Sequence, residues 1–251
     1  MTDPLTPVDA ALTDGRTALT ESEAKTVIAD RGLVTPTGEL VHAPDAAVEA
    51  AERLGFPVVA KVAAPSIQHK SEWAGGVGVN VNLADADAVR TATTRIFDAA
   101  ADRNLDEAVL IEEGIDIEAG LEVIVGATRD PSFGPTVLVG LGGIAVEILR
   151  DTSHRIAPVS TATALEMTRE LEASPLFDGY RGSPAVDREA VAEAIVAVGD
   201  LVAEREAVRE VEINPLLARP DGAVALDALV SLDGERHDDG GRRSRRRQNR
   251  S

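Results

Sequence analysis

The 251-residue sequence contains no cysteine and few aromatic residues: one Trp, one Tyr and four Phe. The lack of cysteine excludes disulfides, a thiolate nucleophile and cysteine-ligated zinc or iron–sulfur centres. No uninterrupted apolar run reaches the roughly 18 residues of a membrane span. The first residues lack the basic and apolar regions of a secretion signal. A soluble cytoplasmic protein is therefore expected. Lysine is scarce, with three residues (Lys25, Lys61, Lys70) against 22 arginines. Basic residues are outnumbered 25 to 43, for a net charge of −18. The tail Arg236–Ser251 carries seven Arg and two Asp, which leaves residues 1–235 at −23. A body that acidic repels phosphates at long range, which argues against general binding to nucleic acid or an anionic membrane. The Lys-poor, Ala- and Asp-rich composition points to a high-salt (halophilic) cytoplasm, where screening relieves self-repulsion. A GC-rich genome encoding an ordinary acidic protein is the alternative.

What is present reads as a mixed chain long enough to bury a substantial core. Residues 1–18 are Pro/Thr/Asp-rich and read as an irregular arm. Thr20-Glu21-Ser22-Glu23 is a capping box opening a helix that ends near Gly32. Asp45 reads as the cap of a second helix that Gly55 stops. Val58–Val62 reads as a strand. Val77, Val79, Val81 and Leu83 alternate with Gly and Asn, the pattern of a half-buried strand. Val89, Ala92, Ile96, Phe97 and Ala100 share one face of a third helix. Strands follow at Ala108–Ile111, Leu121–Val125 and Thr136–Val139, then helices at Thr161–Glu172 and after Asp187. Strands Glu210–Ala218 and Ala223–Val230 flank the turn Arg219-Pro220-Asp221-Gly222. Helices and paired strands in both halves favour an α+β architecture with two lobes over an alternating doubly wound sheet. Residues 233–251 are polar and Arg-rich and are expected to be disordered.

The closing hairpin carries the most chemical information. Glu212 and Asn214 share one face of their strand. With 219–222 as a four-residue turn, counting outward sets Asn214 opposite Asp227, with Cβ atoms about 5 Å apart. An amide oxygen and a carboxylate at that separation can grip a hard cation such as Mg²⁺. A bulge would break this pairing, and a surface hairpin with an incidental acidic pair is the competing reading. Lys61 lies in an apolar strand, where an ammonium needs a partner: a nucleotide phosphate or a structural ion pair. Gly75-Gly76, just after His69-Lys70, lets backbone N–H groups approach an anion, or simply makes a tight turn. The like charge of Lys70 favours the neutral form of His69, which can attack phosphorus. Gly140-Leu141-Gly142-Gly143-Ile144-Ala145 fits G-x-G-x-x-A, but no acidic residue follows at the distance that would hold a ribose.

Six motifs in order carry a resemblance. They are Phe56-Pro57-Val58-Val59-Ala60-Lys61, His69-Lys70-Ser71 with Gly75-Gly76-Val77, Glu122–Gly126, Asp130–Pro135, Gly140–Glu147 and Glu212-Ile213-Asn214-Pro215. Together they resemble the β subunits of the ADP-forming acetate–CoA ligases, ATP-grasp relatives of succinyl-CoA synthetase, over about residues 18–232. The resemblance implies an ATP-grasp fold with a small lobe (about 20–107) and a large lobe (about 108–232) holding ATP or ADP between them. It implies Mg²⁺ and a CoA-binding α subunit as partner in a hetero-oligomer. The implied reaction is acyl-CoA + ADP + phosphate ⇌ carboxylic acid + ATP + CoA, with a phosphohistidine on α carrying the phosphoryl group.

Matched to the family, Lys61 is the strand lysine that contacts nucleotide phosphates, and Gly75 and Gly76 fall in the loop over them. Glu112 and Glu113 occupy the hinge that meets the adenine, with backbone contacts from Gly114 and Ile115. Glu122 is placed at the ribose or metal side. Asn214 and Asp227 match the Mg²⁺ positions, and His69 a second phosphoryl relay. Glu147 and Arg155 are candidates for positioning the phosphohistidine. A non-catalytic nucleotide-sensing module and a nicotinamide-dependent enzyme working through residues 140–145 are the two competing readings.

Overall fold

The computed structural model describes residues 6–64, 67, 70, 72–103, 105, 108–142, 151–180 and 182–233. Two antiparallel sheets organise them. The first has strand order β1-β4-β2-β3, formed by β1 (Gly38–Val41), β2 (Val58–Ala63), β3 (Val79–Leu83) and β4 (Ala108–Glu113). Helices α3 (Pro44–Leu54) and α4 (Ala86–Ala101) pack together on one of its faces. Strand alternation sorts the side chains. Val58, Ala60 and Val62 of β2, with Val109 and Ile111 of β4, enter the helix-covered core. Val59, Lys61 and Glu112 point the other way, into a cavity.

The second sheet runs β10-β8-β5-β6-β7, with β9 also paired to β8. Its strands are β5 (Leu121–Asp130), β6 (Gly134–Leu141), β7 (Thr152–Ile156), β8 (Val208–Arg219), β9 (Gly222–Ala225) and β10 (Ala228–Leu232). Helix α6 (Arg188–Glu204), capped by Asp187, lies across β5, β6 and β8, and α5 (Thr161–Glu170) packs beside it. Every strand pair in both sheets is antiparallel. Among the described residues there is thus no βαβ unit of the kind a dinucleotide-binding reading of residues 140–145 requires. Gly143, Ile144 and Ala145 lie outside the described residues.

Several expectations are corrected. The N-terminal arm is not irregular throughout: Thr6 caps a short helix, α1 (Pro7–Thr13), whose Val8 and Ala11 are buried in the larger core. Helix α2 (Glu21–Ala29) has the capping box, but its Ala24 and Ile28, with Leu19 just before it, pack into the second sheet's core. Strand β4 completes the first sheet rather than opening the second. The lobes therefore exchange elements across the boundary at residue 108, because each sheet recruits strands and helices by packing and not by chain order. Helix α3 starts at Pro44 after Ala43, without a side-chain cap, and Asp45 sits in its first turn.

The alternating valines do not all face the core. The β2–β3 register shifts by one residue between Val58 and Ala60, and Asn82 has φ 55°. This bulge resets the parity. Leu83 is buried in the core while Val79 and Val81 face the cavity. The tail expected to be disordered lies outside the described residues beyond Asp233. No described helix is long and apolar enough to cross a membrane.

Candidate functional site

A cavity of about 660 Å³ separates the two sheets. The first sheet contributes Val59, Lys61, Val79, Val81 and Glu112, and the segment after β4 contributes Glu113, Gly114 and Ile115. From the second sheet come Glu212 and Asn214 on β8 with Leu226, Asp227 and Leu229 near β10. The lining combines apolar side chains with carboxylates, an amide and two lysines, the composition of a small-molecule site.

The hairpin register is the one the turn arithmetic sets. Arg219 pairs with Gly222 and Leu216 with Ala225. The Asn214 N–H donates to Asp227 O at 3.2 Å and the Leu226 N–H to Pro215 O at 3.0 Å. Asn214 Nδ2 donates to Glu212 Oε1 at 3.0 Å. Asn214 and Asp227 both line the cavity. Among the described residues no group of three or more acidic or histidine side chains is arranged to hold a metal ion.

Behind Lys61 lies a network that spacing arguments did not identify as a site. All three lysines of the chain meet three carboxylates. Glu21 Oε1 is 2.8 Å from Lys25 Nζ and 2.6 Å from Lys61 Nζ, and Glu21 Oε2 is 3.1 Å from Lys70 Nζ. Glu112 bridges Lys25 at 2.5 Å and Lys61 at 2.9 Å. Lys70 reaches Asp227 Oδ1 at 3.1 Å, and Lys61 donates to Leu226 O at 2.7 Å. Glu21, Lys25, Lys61 and Glu112 are all buried. Burial alone would push the Glu21 carboxyl up, but Lys61, Lys25 and Lys70 outweigh it and hold it down to about 2. Burial works against the charge on Lys61 and Lys70, and the surrounding carboxylates more than reverse it, so both are raised. Asp227 is raised by burial and by Glu21, against the pull of Lys70 and Lys61. A signal for Glu21 and Lys25 was present. With Ala24 and Ile28 they fall at i, i+3, i+4 and i+7, on the buried stripe of α2.

Other expected site residues stand elsewhere or are already engaged. The Glu112 carboxylate is committed to Lys25 and Lys61. Glu113 Oε1 accepts from the Thr37 N–H at 2.9 Å, and the Gly114 N–H donates to Pro57 O at 2.9 Å. Gly75 and Gly76 do not line the cavity. Their N–H groups donate to Glu72 O at 3.3 Å and Trp73 O at 3.0 Å, inside a turn where Ala74, Gly75 and Gly76 all have positive φ. Glu122 sits on β5 opposite Leu217, and its carbonyl accepts from the Gly142 N–H at 2.7 Å. A Cβ on Gly142 would meet Glu122 Cβ at 2.8 Å, so here a glycine permits close strand packing. Arg155 is on β7, paired with Glu170. His69 and Glu147 lie outside the described residues.

Comparison with known proteins agrees with this architecture. Residues 10–232 match the ATP-grasp domain. The chain is 42% identical over 216 residues to the β subunit of acetate–CoA ligase (ADP-forming) I of Pyrococcus furiosus, covering 85% of this chain and 91% of that one. Acetyl-coenzyme A synthetase 1 of Ca. Korarchaeum cryptofilum, solved with coenzyme A, Ca-AMPCP and HgCl⁺, superposes with a TM-score of 0.82 at 38% identity, over 89% of this chain and 96% of that one. The same enzyme with coenzyme A and Mg-AMPPCP, its phosphohistidine segment pointing towards the nucleotide site, gives 0.76 at 37% identity over the same shares. Two sheets around one cavity, a matching domain from residue 10 to 232 and near-complete coverage of a subunit of this size lead to one conclusion: the chain belongs to the ATP-grasp family, among the β subunits of the ADP-forming acetate–CoA ligases.

Proposed function

We propose that this chain is the nucleotide-binding subunit of a two-component ADP-forming acyl-CoA synthetase. It takes a phosphoryl group from a phosphohistidine on a CoA-binding α subunit and passes it to ADP, in acyl-CoA + ADP + phosphate ⇌ acid + ATP + CoA. One observation carries the reading: two of the chain's three lysines, Lys61 and Lys70, and the Asn214–Asp227 pair line a cavity between two sheets. A body with a charge of −23 over its first 235 residues repels a nucleotide from afar. Lys61 and Lys70 in the cavity wall offset part of that repulsion at contact range, and a bound cation would supply the rest.

The chemistry asks for positioning and charge neutralisation more than for covalent catalysis. Val59, Val79, Val81 and Ile115 offer an apolar slot for a flat base. The ammonium end is suited to phosphates. Asn214, Asp227 and the adjacent Glu212 present only oxygen donors, which fits a hard cation such as Mg²⁺. The protein offers too few for a closed cage, leaving places for water and phosphate oxygens. Mg²⁺ bound there supplies charge neutralisation of the phosphates. His69, beside Lys70 in sequence, is assigned the relay role. Its ring nitrogen takes the phosphoryl group from the partner's phosphohistidine and gives it up as the bond to the ADP β-phosphate forms.

The test is reconstitution. The chain mixed with its CoA-binding partner, ADP, phosphate, Mg²⁺ and acetyl-CoA is expected to form ATP, and His69→Ala to abolish turnover while ADP still binds. No ATP from acetyl-, propionyl-, branched or aryl acyl-CoAs would defeat the proposal.

A further inference from the structure

Glu21 is a buried carboxylate that the nucleotide chemistry above does not use, and it does not line the cavity. It pairs nonetheless with both lysines that do. Its Oε1 accepts a hydrogen bond from Lys61 Nζ at 2.6 Å, and its Oε2 stands 3.1 Å from Lys70 Nζ. Glu112 pairs with Lys25 and Lys61, and Asp227 with Lys70. Among the described residues, Glu21 is the carboxylate within ion-pairing distance of all three lysines. Its position is set from the other sheet. Glu21 opens α2 directly after the Thr20 cap, and Ala24, Val27 and Ile28 hold that helix in the second sheet's core, whereas Lys61 belongs to the first sheet.

Lys70 has two anionic neighbours with different duties. Its Nζ donates to Asp227 Oδ1 at 3.1 Å, and Asp227 is one of the oxygen donors that suit a divalent cation. A cation that takes Asp227 must displace Lys70 from it. With Asp227 as the sole partner, that displacement would strand an ammonium whose side chain is only 10% exposed, at high cost. Glu21 Oε2, also at 3.1 Å, keeps Lys70 paired through the exchange. An ammonium has three donors, so Lys70 can remain on Glu21 and still present a donor to the cavity. Glu21 sets Lys61 in the same way, which leaves that lysine in the cavity wall for a phosphate contact.

We propose that Glu21 is a positioning residue for the phosphate contacts: it holds Lys61 and Lys70 in the cavity wall and lets Asp227 change partner from Lys70 to a divalent cation. The inference rests on the nucleotide-binding reading above and adds to it a residue outside the cavity. A plain charge effect has the opposite sign. Removing a carboxylate beside two ammoniums raises the positive field at the phosphates, which by itself tightens ADP. Without the Glu21 carboxylate, however, Asp227 is the one ion-pair partner left to Lys70 among the described residues. Lys70 then stays on Asp227 and keeps the cation off it.

The experiment reads binding, not turnover. Isothermal titration calorimetry on the full-length chain measures ADP and adenosine, each with and without Mg²⁺. In Glu21→Gln the Mg²⁺-dependent gain in ADP affinity is expected to fall about ten-fold, the size of one lost charge-assisted interaction, while adenosine affinity holds. Glu21→Asp keeps the charge but is one methylene shorter, and a smaller loss of the gain is expected; it is the variant to read if Glu21→Gln does not fold. Adding Lys70→Met to Glu21→Gln removes the ammonium that holds Asp227, and the gain is expected to return in large part. Lys25→Met disturbs the same buried cluster from outside the cavity and is expected to keep the gain. A wild-type or larger gain in Glu21→Gln, or in Glu21→Asp where that variant is the one read, overturns the proposal. So does a Lys25→Met protein that loses the gain as fully as Glu21→Gln, a double variant with no recovery, or a wild-type chain that binds ADP without any Mg²⁺-dependent gain. Failure of the nucleotide-binding reading looks different, because the wild-type chain would then bind neither ligand.

Discussion

Glu21 Oε1 lies 2.6 Å from Lys61 Nζ although they sit on elements that pack into different cores, Glu21 on α2 and Lys61 on β2. Helix α2 is tied to the second sheet by the Leu19 N–H, which donates to Val230 O at 3.0 Å, and its first turn is fixed by Glu23 against Thr20 and Arg16. Glu21 is therefore presented to the first sheet from a rigid mount. The lobe junction and the cation end of the cavity are one structure.

Lys25 isolates the structural part of that network, because it does not line the cavity. Lys25→Met leaves Glu21 and Glu112 buried with one cation fewer. The expected loss is about 3–5 kcal/mol, the range for breaking a buried ion pair from one side. Urea unfolding followed by circular dichroism measures it. The exposed Arg53–Glu39 pair is the control, and Arg53→Ala should leave the unfolding midpoint where it is. A Lys25→Met protein as stable as wild type would show that the carboxylates do not depend on it.

The same network shows what the sequence made legible. The hairpin register could be read because a two-residue turn at Pro220-Asp221 fixes every pair out to Asn214 and Asp227. Lys61 stood out because a lysine in an apolar strand needs a partner. Its true partners could not be read, since Glu21 and Glu112 are 40 and 51 positions away and nothing local links them. The Asn82 bulge was invisible to a strict two-residue alternation, which therefore misplaced Val81. Helix α1 spans only seven residues, too few to show a clear period against its Pro/Thr/Asp surroundings. The close packing of Gly142 on Glu122 depends on strand proximity that spacing does not encode.

Asp227 gives a prediction in pH. Its carboxyl is raised by burial and by Glu21, so it takes up a proton at a higher pH than the usual ~3.9 of an aspartate. The protonated form neither pairs with Lys70 nor serves as an anionic ligand. The Mg²⁺-dependent gain in ADP affinity should therefore be full at neutral pH and fade as pH falls through that raised value. Asp227→Asn should show little gain at any pH. Calorimetric titrations with and without Mg²⁺ across the acid range decide it. A gain in the variant equal to wild type would remove Asp227 from the cation site.

Gly114 gives a prediction in geometry. Its N–H donates to Pro57 O at 2.9 Å, and a Cβ there would come within 2.6 Å of the same oxygen. Gly114→Ala must push the end of β4 away from the segment before β2. Overpacking of this kind costs about 1–3 kcal/mol. Because Glu113, Gly114 and Ile115 line the cavity and are assigned here to the base, adenosine and ADP affinities should fall together, leaving their ratio unchanged. A lower ratio would place the phosphates, rather than the base, at this end.

Charge gives the last prediction. The first 235 residues carry −23; the Lys25, Lys61 and Lys70 pairs form a buried network, while pairs such as Arg53–Glu39 and Arg90–Asp45 lie at the surface. Raising KCl from about 0.1 M to about 1 M shortens the screening length from roughly 10 Å to 3 Å. Repulsion between surface carboxylates is then largely removed, while the Glu21–Lys61 contact, buried and only 2.6 Å long, is barely touched. Thermal unfolding should therefore move to higher temperature across this range, by a similar amount in NaCl. Adenosine affinity, which involves no charge, should stay level. An unfolding temperature that holds steady or falls would mean that surface repulsion does not limit the stability of this acidic chain, and its arginine-rich, lysine-poor composition would then reflect base composition rather than salt.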